Sequence, residues 1–456
     1  MINKLLLLAT VVLATAFTSA LPLQAQGYRA GIARRDITPE GPIWMAGYGS
    51  RDKPSQGVEQ PLFAKALALQ DPQGKTSVLV TLDLIGITRE FGNGIAEQVQ
   101  QELGIARRNL MIVSSHTHTG PAVFNQLRGM FALDDDNAAL VKAYEDRLAS
   151  EILVAIAQAV SRIEAAELAF AHGHANFAAN RRVFTPRGVN FGVNPEGPVD
   201  HDVPVLRVQD SGGNIRAIVF GYACHGTTLT GDDYRISGDW PGFAQEYLEQ
   251  GHPGATAFFV TGCGADANPE PRGKLYYARQ HGLNMAGAVT AVLTQPMAAV
   301  EDPLSCAFDY AELPLAEPPS RQEFEKRLQD QNRFVRRHAE RNIERLDQHG
   351  KLVSSYGLPV QVWRFGDDLT LVAIAGEVVV DYALRLKREL GPERLWVAGY
   401  ANDVPAYIPS ARILLEGGYE ADHSMIYYDL PTRWAPTVEE TLIKKIHELV
   451  EQAKTP

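Results

Sequence analysis

A chain of 456 residues with 45% hydrophobic and 21% charged content can bury a sizeable core, and its length suits one large domain or two closely packed ones. A formal net charge of -11 argues against nucleic acid as a partner, because phosphate contacts need a basic surface, and it gives no support for adhesion to anionic membranes. Three cysteines leave an odd thiol, so a disulfide scaffold is excluded and at most one bridge can form.

The chain opens like a secretory leader. Asn3 and Lys4 precede an unbroken apolar and small-residue run over 5–17, and small residues follow at Ser19, Ala20 and Ala25. Residues 1–25 are read as a signal peptide, which makes the mature protein secreted or periplasmic. The apolar run is too short to span a bilayer as a stable helix, and no later segment qualifies, so no transmembrane segment is expected.

Buried strands are expected over 78–82, 110–113, 203–208, 215–223, 255–260, 369–374 and 395–398, where apolar and β-branched residues run together. Helical periodicity appears over 138–163, 242–250, 280–293, 379–390 and 438–452. The alternation predicts an α/β fold, with mixed buried sheets flanked by helices. Residues 27–456 show no repeat or linker and read as a single catalytic domain. The charged stretch 321–348 is expected to be one long solvated helix, and the Gly-, Pro-, Asn- and Asp-rich stretch 182–204 a long ordered loop. Cys224 and Cys263 each close a core strand and are expected to be small buried side chains rather than a bridge.

Five segments share one character: an apolar strand runs into a polar turn carrying chemistry. The first is Leu110-Met-Ile-Val-Ser-Ser-His116-Thr-His118-Thr-Gly-Pro121, where Gly120 and Pro121 end the strand. The others end in His225, in Asp266 with Asn268, in Glu377, and in the loop from Asn402 to Tyr407. Sites in α/β folds gather at strand ends, so these segments are expected to converge. Two histidines with a carboxylate and an open position suit a hydrolytic zinc site, in which the metal lowers the pKa of a bound water to about 7. A second pair, His172 and His174, lacks the Gly-Pro turn and is expected to consist of ordinary strand or surface residues. The amidohydrolase barrel also opens on a His-x-His pair, but that pair belongs to its first strand, whereas several strands precede His116 here.

These motifs resemble the catalytic domain of neutral (non-lysosomal) ceramidases. The N-terminal block resembles GIARRDITPEGPIWMAGYG at 31–49, and a THTHSGP block resembles SHTHTGP at 115–121. A histidine-bearing strand resembles YACHGTTL with SGDWPGFA over 222–244, a Gly-Glu segment resembles AIAGE at 373–377, and a THYITT block resembles GYANDVPAYIPS at 399–410.

The resemblance implies one Zn2+ per chain, held by His116, His225, Glu377 and Tyr407, with His118 beside it. Asn180 and Arg181 match part of an Asn-Arg-Ser motif lining the pocket, with Arg182 at its third position, and all three are expected to bind substrate. The block that bears the family's active-site serine resembles 265–270, where Asn268 or Ala267 stands at the serine position; neither supplies a hydroxyl. The family's further C-terminal β-rich domain is not matched. The expected activity is therefore hydrolysis of an N-acyl amide by metal-activated water, with His118 and Asp266 transferring protons and Asn268 holding the substrate amide. The two arginines suit an anionic substrate, and long-chain ceramide is not the expected preference. The alternative is a non-catalytic relative that retains zinc and binds lipid or glycan. In either case the partner is a small-molecule amide or lipid.

Overall fold

Three sheets surround one shared apolar core, and each covers its other face with helices. This arrangement is seen in a computed structural model that describes residues 27–454 except 124–126, 128 and 132; the expected leader over 1–25 lies outside the described residues. The first sheet runs Leu110–Ser114, Thr76–Leu82, Phe63–Gln70, Arg29–Asp36, Glu164–Ala165. The second runs Thr256–Thr261, Ile215–Tyr222, Asp202–Gln209, Glu167–His174, Ala298–Val300. The third runs Leu304–Pro314, Ser355–Phe365, Leu369–Ile374, Leu395–Ala398.

Alternation along each strand divides its side chains between two cores. Met111 and Val113 point into the shared core with Val219, Val260, Trp363 and Trp396, while Leu110 and Ile112 face the helices Arg89–Leu103 and Asp135–Ser161. Ile218, Phe220 and Phe259 pack likewise under Asp239–Gly251 and Leu275–Leu293, and Val360, Val362 and Val372 under Val380–Leu390 and Val438–Gln452. Burial on both faces explains why these strands read as continuous apolar runs rather than alternating ones.

Each sheet is mostly antiparallel but carries one parallel pair: 76–82 with 110–114, 215–222 with 256–261, and 369–374 with 395–398. The chain leaves the carboxyl ends of these pairs through the expected site segments. Two short strands complete the arrangement, Glu377–Val378 and Tyr407–Ile408, paired in parallel with Glu377 directly opposite Tyr407.

Two expectations are corrected. The stretch 321–348 forms two helices, Arg321–Arg327 and Arg333–His349. Asn332 caps the second helix by accepting from Phe334 N, and Asp330 accepts from Asn332 N, so polar side chains capture the backbone between the two. The stretch 182–204 is not a loop. It contains a hairpin of Ala178–Thr185 with Gly188–Asn194, tied at its turn by Thr185 Oγ1 donating to Gly188 O at 2.8 Å. Ala267–Pro269 pairs with the other edge of this hairpin. All three cysteines are buried and unbridged. Among the described residues no helix is long and apolar enough to cross a membrane.

Candidate metal centre

The side chains that meet at the strand ends are held by local contacts. His116 sits at φ +56, left-handed for a non-glycine residue, two residues past the end of its strand. Its ring packs 4.3 Å from that of Tyr400, itself at φ +54. Such strain persists only where surroundings enforce it. Here Thr117 and Thr119 both donate to Ser237 O, and Trp240 Nε1 donates to His225 O at 2.8 Å. Gly47, at φ +94, leaves room for His118: a Cβ there would lie 2.6 Å from the His118 Cβ.

Three imidazoles converge. Nδ1 of His116 faces Ile85 O at 2.6 Å, Nδ1 of His118 faces Gly47 O at 3.1 Å, and Nδ1 of His225 faces Gly264 O at 2.9 Å. A carbonyl oxygen can only accept, so each ring donates from Nδ1, and the neutral ring presents a lone pair at Nε2. His116 and His118 then bring two Nε2 lone pairs to 3.0 Å, and Glu377 Oε2 lies 3.2 Å from His116 Nε2 and 3.0 Å from His225 Nε2. Tyr407 Oη lies 3.3 Å from His225 Nε2. Spacings of this size are close to the ~3.3 Å edge of a tetrahedron with bonds of ~2.0 Å.

Lone pairs and a carboxylate crowded together in a buried pocket repel one another unless a cation stands among them. Burial pushes His118 well below the usual imidazole range, and burial with Arg181 pushes His225 down to about 4, which favours the neutral ring at these two positions. The donor set of imidazole nitrogens, carboxylate and phenol fits a divalent metal such as zinc. His116, His118 and His225 are the group with metal-ligand spacing among the described residues, their donor atoms all within 4.8 Å of one another.

The cluster forms the end of a cavity of about 490 Å³. His118, Arg181 and Tyr407 lie at that end, and the lining mixes apolar and aromatic side chains (Met130, Phe191, Val193, Tyr419 and Tyr427) with polar ones (Tyr48, Thr227, Asn268, Glu270 and Arg272). A larger cleft, about 1080 Å³, lies on the far side of Tyr428 and reaches none of the three histidines.

The sequence-derived residues separate here. His116, His118, His225, Glu377 and Tyr407 come together, and Arg181 joins them: Nη2 donates to Tyr407 Oη at 3.1 Å, and Nη1 lies 3.3 Å from His225 Nε2. Asn268 lines the cavity, and its Oδ1 accepts from Thr227 Oγ1 and Arg181 Nη1. Three expectations are corrected. Asp266 is fully buried and does not line the cavity; its oxygens accept from Val380 N, at the start of a helix, and from Asn180 Nδ2. It holds the start of that helix and Asn180 rather than facing the cavity. Asn180 is spent on Asp266, Pro198 O and Arg182 N. Arg182 is 2% exposed and bound to Glu420, Glu416 and Gly417 O, so it does not meet a substrate. His172 and His174 lie on Glu167–His174, and His172 Nδ1 pairs with Asp202 at 2.9 Å.

Sequence reasoning missed Glu420 and Tyr428. Glu420 accepts from Arg181 Nε at 2.8 Å and Arg182 Nη1 at 2.6 Å, and Tyr428 Oη donates to Glu377 Oε1. Both sit on the turn-and-helix run 419–428, which no apolar strand precedes. The density of tyrosine in GYEADHSMIYYD is the signal that was present.

Residues 28–275 match the family model described as Neutral/alkaline non-lysosomal ceramidase, N-terminal. The chain belongs to that family. His116, His118, His225 and Asn268 fall inside the matched residues, whereas Glu377 and Tyr407 fall beyond them. The chain is 28% identical over 271 residues to neutral ceramidase A of Dictyostelium discoideum, covering 54% of this chain and 36% of that protein. It is 26% identical over 255 residues to the neutral ceramidase of Pseudomonas aeruginosa, with the same coverage. The chain thus matches about a third of the length of these relatives. A crystal structure of the Pseudomonas aeruginosa protein superposes with a TM-score of 0.70 at 19% identity, over 94% of this chain and 74% of that one. A structure described as ceramidase complexed with C2 gives 0.72 at 18% identity, over 94% and 75%. At such identity these two likenesses speak for the fold.

Proposed function

We propose that this ceramidase-family chain is an exported zinc-dependent hydrolase of N-acyl amide bonds, with His116, His225, Glu377 and Tyr407 as the metal's protein ligands. The observation that carries the reading is the convergence of three imidazole Nε2 atoms, one carboxylate and one phenol at the end of a half-apolar cavity. Zinc in that position supplies the Lewis acidity that polarises a carbonyl and acidifies a water.

The chain's own groups do the rest. His118, fixed at Nδ1 and kept neutral by burial, has its Nε2 beside the ligand His116, placed to take a proton from the attacking water and return it to the departing amine. Arg181, held in place by Glu420, directs N–H donors to where the oxyanion forms. Thr227 and Arg181 both donate to Asn268 Oδ1, which leaves the Nδ2 hydrogens for the substrate. Tyr428 orients Glu377, and the apolar part of the lining suits an acyl chain.

Turnover of a panel of N-acyl amides by purified protein, followed by mass spectrometry, tests this. His118→Ala is expected to lower kcat by ~10²-fold or more. A protein that releases no amine from any member of the panel contradicts the hydrolase reading.

A further inference from the structure

Resting on the hydrolase reading above, we propose that Arg272 is the anion-binding residue of this cavity and that the substrates are N-acyl amino acids, their carboxylate seated on Arg272. The sequence pointed to Arg181 and Arg182 for this purpose, but both are paired with carboxylates, and Arg181 is directed to the oxyanion. Arg181 and Arg182 share Glu420 at 2.8 and 2.6 Å, and Arg182 takes Glu416 at 3.0 Å as well. Arg272 differs. It lines the cavity, its Nη2 donates to the neutral phenol of Tyr48 at 3.1 Å, and its buried Nε has no acceptor. No carboxylate among the described residues forms an ion pair with it.

A guanidinium with a buried, unsatisfied N–H and no ion-pair partner suits an anionic acceptor, because a carboxylate meets both needs in one contact. Glu270 lines the same cavity; burial raises its carboxyl and Arg272 draws it down, but the two form no ion pair. Position completes the argument. The Tyr48 ring packs edge-on against that of His118, centroids 5.2 Å apart, so Arg272 stands one side chain from the group that hands a proton to the departing amine. Met130, Phe191 and Val193 line the same cavity and are apolar. A substrate that joins an acyl chain to an anionic amine half matches this mixed lining.

The test compares N-lauroylglycine with its uncharged counterpart N-lauroylglycinamide on the metal-loaded wild type, Arg272→Ala and Arg272→Lys. The wild type is expected to favour the carboxylate by tenfold or more in kcat/KM. Arg272→Ala should reduce that ratio by ~10- to 100-fold, and Arg272→Lys should keep part of it. Cleavage of both compounds at a ratio near one overturns the proposal and leaves the hydrolase reading intact. If neither is cleaved, the hydrolase reading is left to the wider panel, and calorimetric titration with the same two compounds decides the proposal. Tighter binding of N-lauroylglycine that Arg272→Ala abolishes sustains it, and equal or absent binding of the two sinks it.

Discussion

Glu420 holds two guanidiniums while 2% exposed, and that single carboxylate fixes both Arg181 at the site and Arg182 behind it. Glu420→Gln removes the counter-charge from two buried cations, which is expected to cost ~3–5 kcal/mol of stability in denaturant unfolding; a loss below ~1 kcal/mol would show the arginines to be satisfied elsewhere. Tyr428→Phe deletes the O–H that Glu377 accepts without changing the ring's shape. Partners of this kind set ligand orientation, so metal affinity should fall ~10- to 100-fold in competition with a chelator while the fold is unchanged. The contrast between these residues and His116 marks what a sequence can disclose. His116, His225 and Glu377 stand where an apolar strand ends, and the strand itself announces them. Glu420 and Tyr428 act on groups more than 50 positions distant from turns with no periodic pattern, and only the fold brings them there.

At the scale of elements, the central strands were readable because both their faces are buried and the residues run apolar without interruption. The hairpin 178–194 was hidden because site chemistry and turn chemistry fill it with Asn, Arg and Gly, and the break at 328–332 because charged residues continue across it. The parallel pair that joins Glu377 to Tyr407 is only two residues long on each side and depends on Gly376 at φ +87. A Cβ at that position would lie 2.6 Å from Ile408 Cγ1 and 3.0 Å from Ala406 O. Gly376→Ala is thus expected to cost ~1–3 kcal/mol and to disturb the spacing of the two side chains. Its thermal midpoint and metal content should fall together; a variant with wild-type values of both would show the turn to be yielding.

For the whole molecule, pH acts through buried acids. Asp403 lies under Tyr356, whose Oη donates to Oδ2 at 2.6 Å, with Arg89 N donating to Oδ1, yet burial pushes its carboxyl up to about 7 from 3.8. The folded chain therefore holds this proton more tightly than the unfolded one, and stability is lost as pH rises between those values, at up to ~1.4 kcal/mol per pH unit. Asp266, pushed up to about 7 by burial, acts in the same direction. Asp403→Asn keeps an acceptor for Arg89 N and offers Tyr356 a donor, so unfolding of the variant from pH 4 to 7 should show a flatter slope than the wild type; parallel curves would contradict the assignment. The central claim is that one metal sits among His116, His225, Glu377 and Tyr407. Elemental analysis of purified wild type and His225→Ala protein tests it most directly. One equivalent of zinc in the wild type and a small fraction of that in the variant is the predicted result; a wild type that hydrolyses N-acyl amides at full rate after exhaustive chelation would contradict it.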